Sequence, residues 1–415
     1  MKIEKIYISN YKNLKNLEMN FKKDNKILDL VVLTGSNGNG KTRILECILN
    51  CFENYINSNY KEDKNRLDIY FQENEKKCFN EILDLEMFFK ILNRYNWNKV
   101  EPFVLGDNYK KDDFFEKGKI LKEKLEVLPK IIYVPTEINF QKMDTASTTL
   151  VQKYKFINIV DTNLIKDIPS FIATKIITTI FQNKNEKVGD VQKKVFDEIN
   201  EIFEILEINV KVEDISQDGR NIPIFKNSAG EKFDINELSS GEKQLFLRTL
   251  AIKMLNPENS IILIDEPELS LHPKWQQQIV DVYKKIGKNN QIIIATHSPH
   301  ILGSVKKENI ILLDRSDDGK IMIKTDEDLY DSYGQPTDRV LKDIMGLEST
   351  RNPKIFKLLE EAEELIDKNE YESEKFKNKY NELREMLGSK DEDLLLMDMD
   401  IQIRKKRGSK NVENK

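Results

Sequence analysis

An α/β fold on a largely parallel sheet is predicted by three features of this 415-residue chain. An apolar strand at residues 28–33 runs directly into Gly35-Ser36-Asn37-Gly38-Asn39-Gly40-Lys41-Thr42, after which a helical run begins. Three further apolar strands, at 261–264, 292–295 and 310–313, alternate with helical stretches. A compact fourth, Ile131-Ile132-Tyr133-Val134, is closed by Pro135. Continuous apolar strands separated by helices are the pattern of strands buried on both faces.

Taken in order, alternating Ile3, Ile6 and Ile8, then Leu14, Leu17, Met19 and Phe21, predict two short strands ahead of the buried one. Residues 51–130 are rich in Asn, Lys, Glu and aromatic side chains, and read as an insertion with helices and a hairpin near 79–89. The strand at 131–134 rejoins the main sheet. Residues 139–230 depart again as a helical insertion with connecting strands at 210–225, and 231–330 complete the main lobe begun by 1–50 and 131–138. Beyond 331 the character changes. Ile355, Phe356, Leu358, Leu359, Ala362, Leu365 and Ile366 mark one helical face, and Phe376, Tyr380, Leu383 and Leu387 a second, a C-terminal helical hairpin followed by the basic tail Arg404-Lys405-Lys406-Arg407. Neither insertion sustains a heptad, so a long coiled coil is not encoded.

Composition excludes some classes. Charged residues make up 33% of the chain and the mean hydropathy is −0.56. No run of about 18 apolar residues occurs and the N-terminus lacks a secretory h-region, so a cytoplasmic location without membrane partners is expected. Net charge −5 and a pI near 5.7 argue against nonspecific nucleic-acid binding by the chain as a whole. Cys47, Cys51 and Cys78 show no CxxC spacing, and His272, His297 and His300 have no convergent partners, so neither disulfides nor zinc are implied.

The glycine-rich segment fits G-x-x-x-x-G-K-[ST] at every fixed position. Small residues let the backbone N–H groups from Asn37, Gly38, Asn39 and Gly40 curl around phosphates, Lys41 reaches the β/γ oxygens, and the Thr42 hydroxyl holds Mg²⁺. A nucleoside triphosphate with Mg²⁺ is the ligand this chemistry predicts. Ile261-Ile262-Leu263-Ile264-Asp265-Glu266 is an apolar strand ending in two carboxylates, placing Asp265 toward the metal and Glu266 toward the attacking water. Leu238-Ser239-Ser240-Gly241-Glu242-Lys243-Gln244 sets small residues just before a helix, a ready anion site.

The order of phosphate loop, LSSGEKQ, IILIDEPE and Ala295-Thr296-His297-Ser298 resembles the ABC-type ATPases, in particular the soluble branch of SMC, RecF-like and OLD-like proteins. The resemblance implies an ABC-type P-loop ATPase whose protomers close head to tail, so that Ser239 and Gly241 touch the γ-phosphate held by the other subunit. It implies a switch role for His297 beside Lys41 and Glu266, and a D-loop at Glu268-Leu269-Ser270-Leu271-His272-Pro273. Gln141 is the candidate for the family's metal-linked glutamine. Where transporters read LSGGQ, this chain has Ser240 and Glu242; the small-residue requirement survives.

OLD-like proteins continue into a TOPRIM nuclease, of which Asp398-Met399-Asp400 is the only echo here, without the preceding Glu-Gly strand. No nuclease of its own is therefore expected. Ser332-Tyr333-Gly334-Gln335-Pro336-Thr337-Asp338-Arg339, with the helical hairpin after it, resembles the PtuA ATPases of Septu anti-phage and retron-associated defence systems. That likeness implies a separate HNH-type nuclease partner, and nucleic acid engaged through the complex. The competing expectation is a RecF- or SMC-like repair ATPase that clamps DNA when ATP closes the dimer. A transporter subunit is disfavoured by the roughly two hundred residues between Thr42 and Leu238. A scaffold that binds ATP without hydrolysis stands as a further alternative.

Overall fold

A computed structural model describes residues 1–56, 65–70, 129–136, 156–206, 208–216, 222–316 and 318–413. The chain divides into two compact units, Met1–Val340 and Leu341–Lys415.

The larger unit opens with β1 (Lys2–Tyr11) and β2 (Leu14–Asn20), an antiparallel pair that registers Ile6 on Met19 and Ile8 on Leu17. A two-residue hairpin, β3 (Lys22–Lys23) and β4 (Lys26–Ile27), leads to β5 (Leu30–Gly35), the strand of the phosphate loop. The helix Lys41–Ile56 follows, and β6 (Arg66–Tyr70) returns to the far side of β1. β6 lies within the stretch expected to be an insertion; its Arg-Leu-Asp-Ile-Tyr sequence is only partly buried and carries little strand signal. The hairpin expected near 79–89 lies outside the described residues.

β7 (Ile131–Val134) does rejoin the main sheet, beside β8 (Ile157–Ile159). Three helices, Thr162–Lys166, Ile168–Gln182 and Val188–Ile205, precede a small antiparallel sheet of β9 (Val210–Ile215), β10 (Pro223–Asn227) and β11 (Lys232–Asp234). The helix Ser240–Met254 then leads to β12 (Ile261–Asp265), β13 (Gln291–Ala295), β14 (Ile310–Arg315) and β15 (Ile321–Thr325).

Seven strands form the central sheet in the order β15-β14-β5-β13-β12-β7-β8. All neighbours are parallel except β14 and β15. Alternate residues Val31, Leu33, Leu263, Ile293, Ala295, Ile311 and Leu313 turn to one face, where Ile44, Leu45, Ile48 and Phe52 of the helix Lys41–Ile56 meet them. The inward residues of β1 and β2 join that same core.

Buried polar side chains stitch the layers together. Gln291 accepts from Ile3 N at 2.7 Å and donates to Ile3 O and Leu28 O, so an amide in the core has its partners. Buried Lys130 donates to Leu255 O and Asn256 O, placing a cation at the C-terminal end of the helix Ser240–Met254. Phe203 stacks on Phe246 at 5.6 Å while Phe225 meets Phe246 edge-on at 5.0 Å. These rings couple the small sheet to that same helix.

In the smaller unit three helices, Pro353–Asp367, Glu374–Leu387 and Glu392–Glu413, share a core of Leu359, Ala362, Leu365, Phe376, Leu383, Leu394 and Met397. The first two are the expected hairpin. The third carries Asp398-Met399-Asp400, which here sits on a helix: Asp398 accepts from the Tyr380 hydroxyl at 2.8 Å and Asp400 from Arg404 Nε at 2.9 Å.

Candidate active site

Strand order brings the predicted motifs together. β14, β5, β13, β12 and β7 are consecutive neighbours running in one direction, so their C-terminal ends place Arg315, the phosphate loop, Thr296-His297, Asp265-Glu266 and Thr136 along one edge of the sheet. Ligands bind at that edge in open α/β sheets because loops and helix N-termini converge there.

The loop is held by close packing. A Cβ on Gly35, whose φ is +139°, would stand 2.1 Å from Leu313 O, and one on Gly40, whose φ is +93°, 2.6 Å from Leu14 Cδ2. Neither position admits another residue without displacement. Asn39 is buried, donating to Leu313 O at 2.8 Å and accepting from Arg315 Nε at 2.9 Å, while Asn13 and Arg315 both donate to Gly38 O. Ser36, Asn37 and Gly38 are exposed in front of the helix N-terminus.

Lys41 is buried, with Nζ donating to Gly35 O at 2.8 Å and Ser36 O at 3.3 Å. Burial pulls its pKa down to about 8 against the opposing pull of Glu266, Asp265 and Glu268. Next to it, the Thr42 hydroxyl donates to Asp265 Oδ1 at 3.0 Å, and the Thr136 hydroxyl to Oδ2 at 2.7 Å. Burial raises the Asp265 pKa, while the two hydroxyls act the other way.

Glu266 adopts a left-handed φ of +44°, a conformation a side chain with a Cβ takes at a cost. Its N–H donates to Ala295 O at 2.8 Å, and its side chain reaches within 3.9 Å of His297 Nε2, both groups about one-third exposed. Burial and the neighbouring Lys41 lower the His297 pKa against the opposing pull of Asp265, a shift that favours the neutral imidazole.

Sequence reasoning missed four contributors. Thr136 completes the Asp265 cradle. Glu268, assigned only to the D-loop, accepts from Thr296 Oγ1 at 2.8 Å and His297 N at 2.7 Å, fixing the backbone at His297. Buried Arg248, on the helix after LSSGE, donates to the carbonyls of Glu266 and Thr136. Arg315 straddles the loop. Only Thr136 carried a signal, its position just past the end of a strand parallel to β12. Arg248 lies 112 residues from Thr136, and Arg315 lies 276 from Asn39.

Ser239 caps the helix Ser240–Met254 reciprocally with Glu242: Ser239 Oγ accepts from Glu242 N, and Glu242 Oε2 accepts from Ser239 N. Ser239 and Ser240 are exposed, whereas Gly241 is buried, and a Cβ there would stand 2.6 Å from Ser270 O. Gly241 is thus small because the Glu268-to-Pro273 loop of its own chain crosses it. His272 caps the helix Pro273–Gln276, and His300 pairs with the Thr337 hydroxyl. Gln141 lies outside the described residues. Among those described, no cluster of three His, Cys, Asp or Glu side chains could hold a metal, and no helix is long and apolar enough to cross a membrane.

A phosphate loop on one strand, an Asp-Glu pair on the next but one and a histidine on the strand between them, all on a mostly parallel sheet, make up an α/β P-loop ATPase fold of the ABC type. Its likeness is to the soluble SMC- and OLD-like branch. Residues 176–303 match the family described as "AAA domain, putative AbiEii toxin, Type IV TA system". The chain is 26% identical to Septu protein PtuA of Bacillus thuringiensis over 93% of its own length and 94% of that protein's. It is 39% identical to the Retron Vc95 probable ATPase of Vibrio cholerae over 25% of this chain and 20% of the relative, and 32% identical to the Retron Ec83 probable ATPase of Escherichia coli over 40% and 32%. The match to the two retron ATPases therefore spans a third or less of their length.

Proposed function

We propose that this chain hydrolyses ATP as the motor subunit of an anti-phage defence module, with its nucleotide state controlling a separate nuclease of HNH type. The observation that carries the hydrolytic part is the convergence of Lys41, Thr42, Asp265, Glu266 and His297 at one sheet edge. The defence assignment rests on the near full-length likeness to Septu protein PtuA.

The donor set fits Mg²⁺. A hydroxyl and one carboxylate already face each other, and a small hard cation takes its remaining ligands from water and phosphate, not from a protein cage. When bound, the ion neutralises charge on the β- and γ-phosphate oxygens. Lys41 exchanges two backbone carbonyls for phosphate oxygens. Thr136 holds Asp265 in place as the Thr42 hydroxyl turns toward the nucleotide. Glu266 accepts a proton from the water whose oxygen attacks the γ-phosphorus; the bond to the β-γ bridging oxygen breaks, and its electron pair leaves with ADP. Neutral His297, fixed through Glu268, orients the γ-phosphate beside Glu266. In a head-to-tail pair the exposed Ser239 of the second copy would release Glu242 to meet that phosphate.

Purification of the tagged chain from its own cells tests the partner. A stoichiometric nuclease chain supports the defence reading. Tight ATP-dependent binding to duplex DNA without any protein partner would instead support a clamp of the repair type, with a steep salt dependence.

A further inference from the structure

The helix Glu392–Glu413 packs only one side into the C-terminal unit. Leu394 and Met397 are buried there and Ile401 partly so, while Leu395, Leu396, Met399 and Ile403 remain 47–59% exposed. At 100° per residue these four lie within a single stripe about 100° wide. Exposed Glu392 and Lys406 stand at its two ends, on the same face.

Three of these four apolar residues are symmetric about Met399; the exception is Leu396, whose counterpart across Met399 is Gln402. Glu392, Met399 and Lys406 are spaced by seven residues, and Leu395, Met399 and Ile403 by four. Met399 thus lies about 10 Å from each charge along the axis. Neighbouring charges are spent within the unit: Arg404 on Asp367 and Asp400, Lys405 on Glu372, and Asp393 on Arg351. Among the described residues, Glu392 and Lys406 form no ion pair.

We propose that this face is an antiparallel, two-fold seam with the same helix of a second copy. A two-fold axis at Met399 sets Met399 against Met399, Leu395 against Ile403, and Glu392 against Lys406, the last two contacts occurring twice. Parallel pairing would oppose Glu392 to Glu392. A chain of different sequence would require no symmetry about Met399, whereas isologous contact requires a self-complementary patch. The contact lies outside the nucleotide motifs, forms without ATP, and goes beyond the proposed function. Combined with a head-to-tail pair, it would join dimers into larger assemblies.

Sedimentation of the full chain without nucleotide, across a micromolar concentration series, tests this. The wild type dimerises. Glu392→Lys and Lys406→Glu each weaken the dimer about tenfold, since each turns two attractive pairs into two repulsive ones. The doubly exchanged variant restores it, and Met399→Glu dissociates it. A wild type that stays monomeric throughout, single exchanges without effect, or a double exchange that fails to restore the dimer would each overturn the proposal. Should Met399→Glu misfold, the two exposed charge positions still decide.

Discussion

The Thr42 hydroxyl donates to Asp265 Oδ1 at 3.0 Å, joining the first turn after the phosphate loop to the end of β12 across 223 residues of chain. The contact holds together the two groups proposed to face the metal. Asp265→Asn keeps the shape but loses the charge, so affinity for ATP with Mg²⁺ should fall tenfold or more while affinity in chelator stays nearly constant. Titration under both conditions reads the ratio; an unchanged ratio would remove Asp265 from the metal side.

Burial holds Lys41 at about pH 8 in the nucleotide-free chain, below its usual value. A polyanion at the loop restores the charged form. ATP binding should therefore take up a proton above about pH 8 and none near pH 6.5, where the amine is already charged. Calorimetry in buffers of different ionisation heat measures this uptake. Binding enthalpy independent of buffer at pH 8.5 would count against it.

Glu268 positions His297 through the Thr296 hydroxyl and the His297 N–H. Glu268→Ala leaves both donors unpaired in a buried place, at a cost of about 1–3 kcal/mol. A lower melting temperature and about tenfold slower turnover are expected. Glu268→Gln keeps an acceptor oxygen and should recover most of the rate. Equal losses in both variants would indicate a role for the charge, not for the hydrogen bonds.

Gly241→Ala should destabilise the empty chain by about 1–3 kcal/mol, because the new methyl meets the Ser270 carbonyl and both lie on backbone. Thermal melts without nucleotide test this. A wild-type melting temperature would mean that the loop yields freely and that Gly241 is small for some other reason.

The central strands were legible because β5, β12, β13 and β14 are short apolar runs, the first three of which stop at motifs with chemistry: the glycine loop, Asp265-Glu266 and Thr296-His297. Thr136, Arg248 and Arg315 were not, since ordinary residue types acquire a role only when parallel pairing brings distant segments into contact. Period alone does not decide at Leu394-Leu395-Leu396. A continuous apolar run ahead of alternating Asp and Met suits either a strand or a helix, and here both faces of a helix are apolar, one packed and one exposed.

Glu266→Gln tests the central claim most directly. The account predicts ATP binding close to wild type, with phosphate release slowed at least a hundredfold, the loss expected when a general base is removed. Phosphate release at the wild-type rate would contradict it and leave Glu266 no part in turnover.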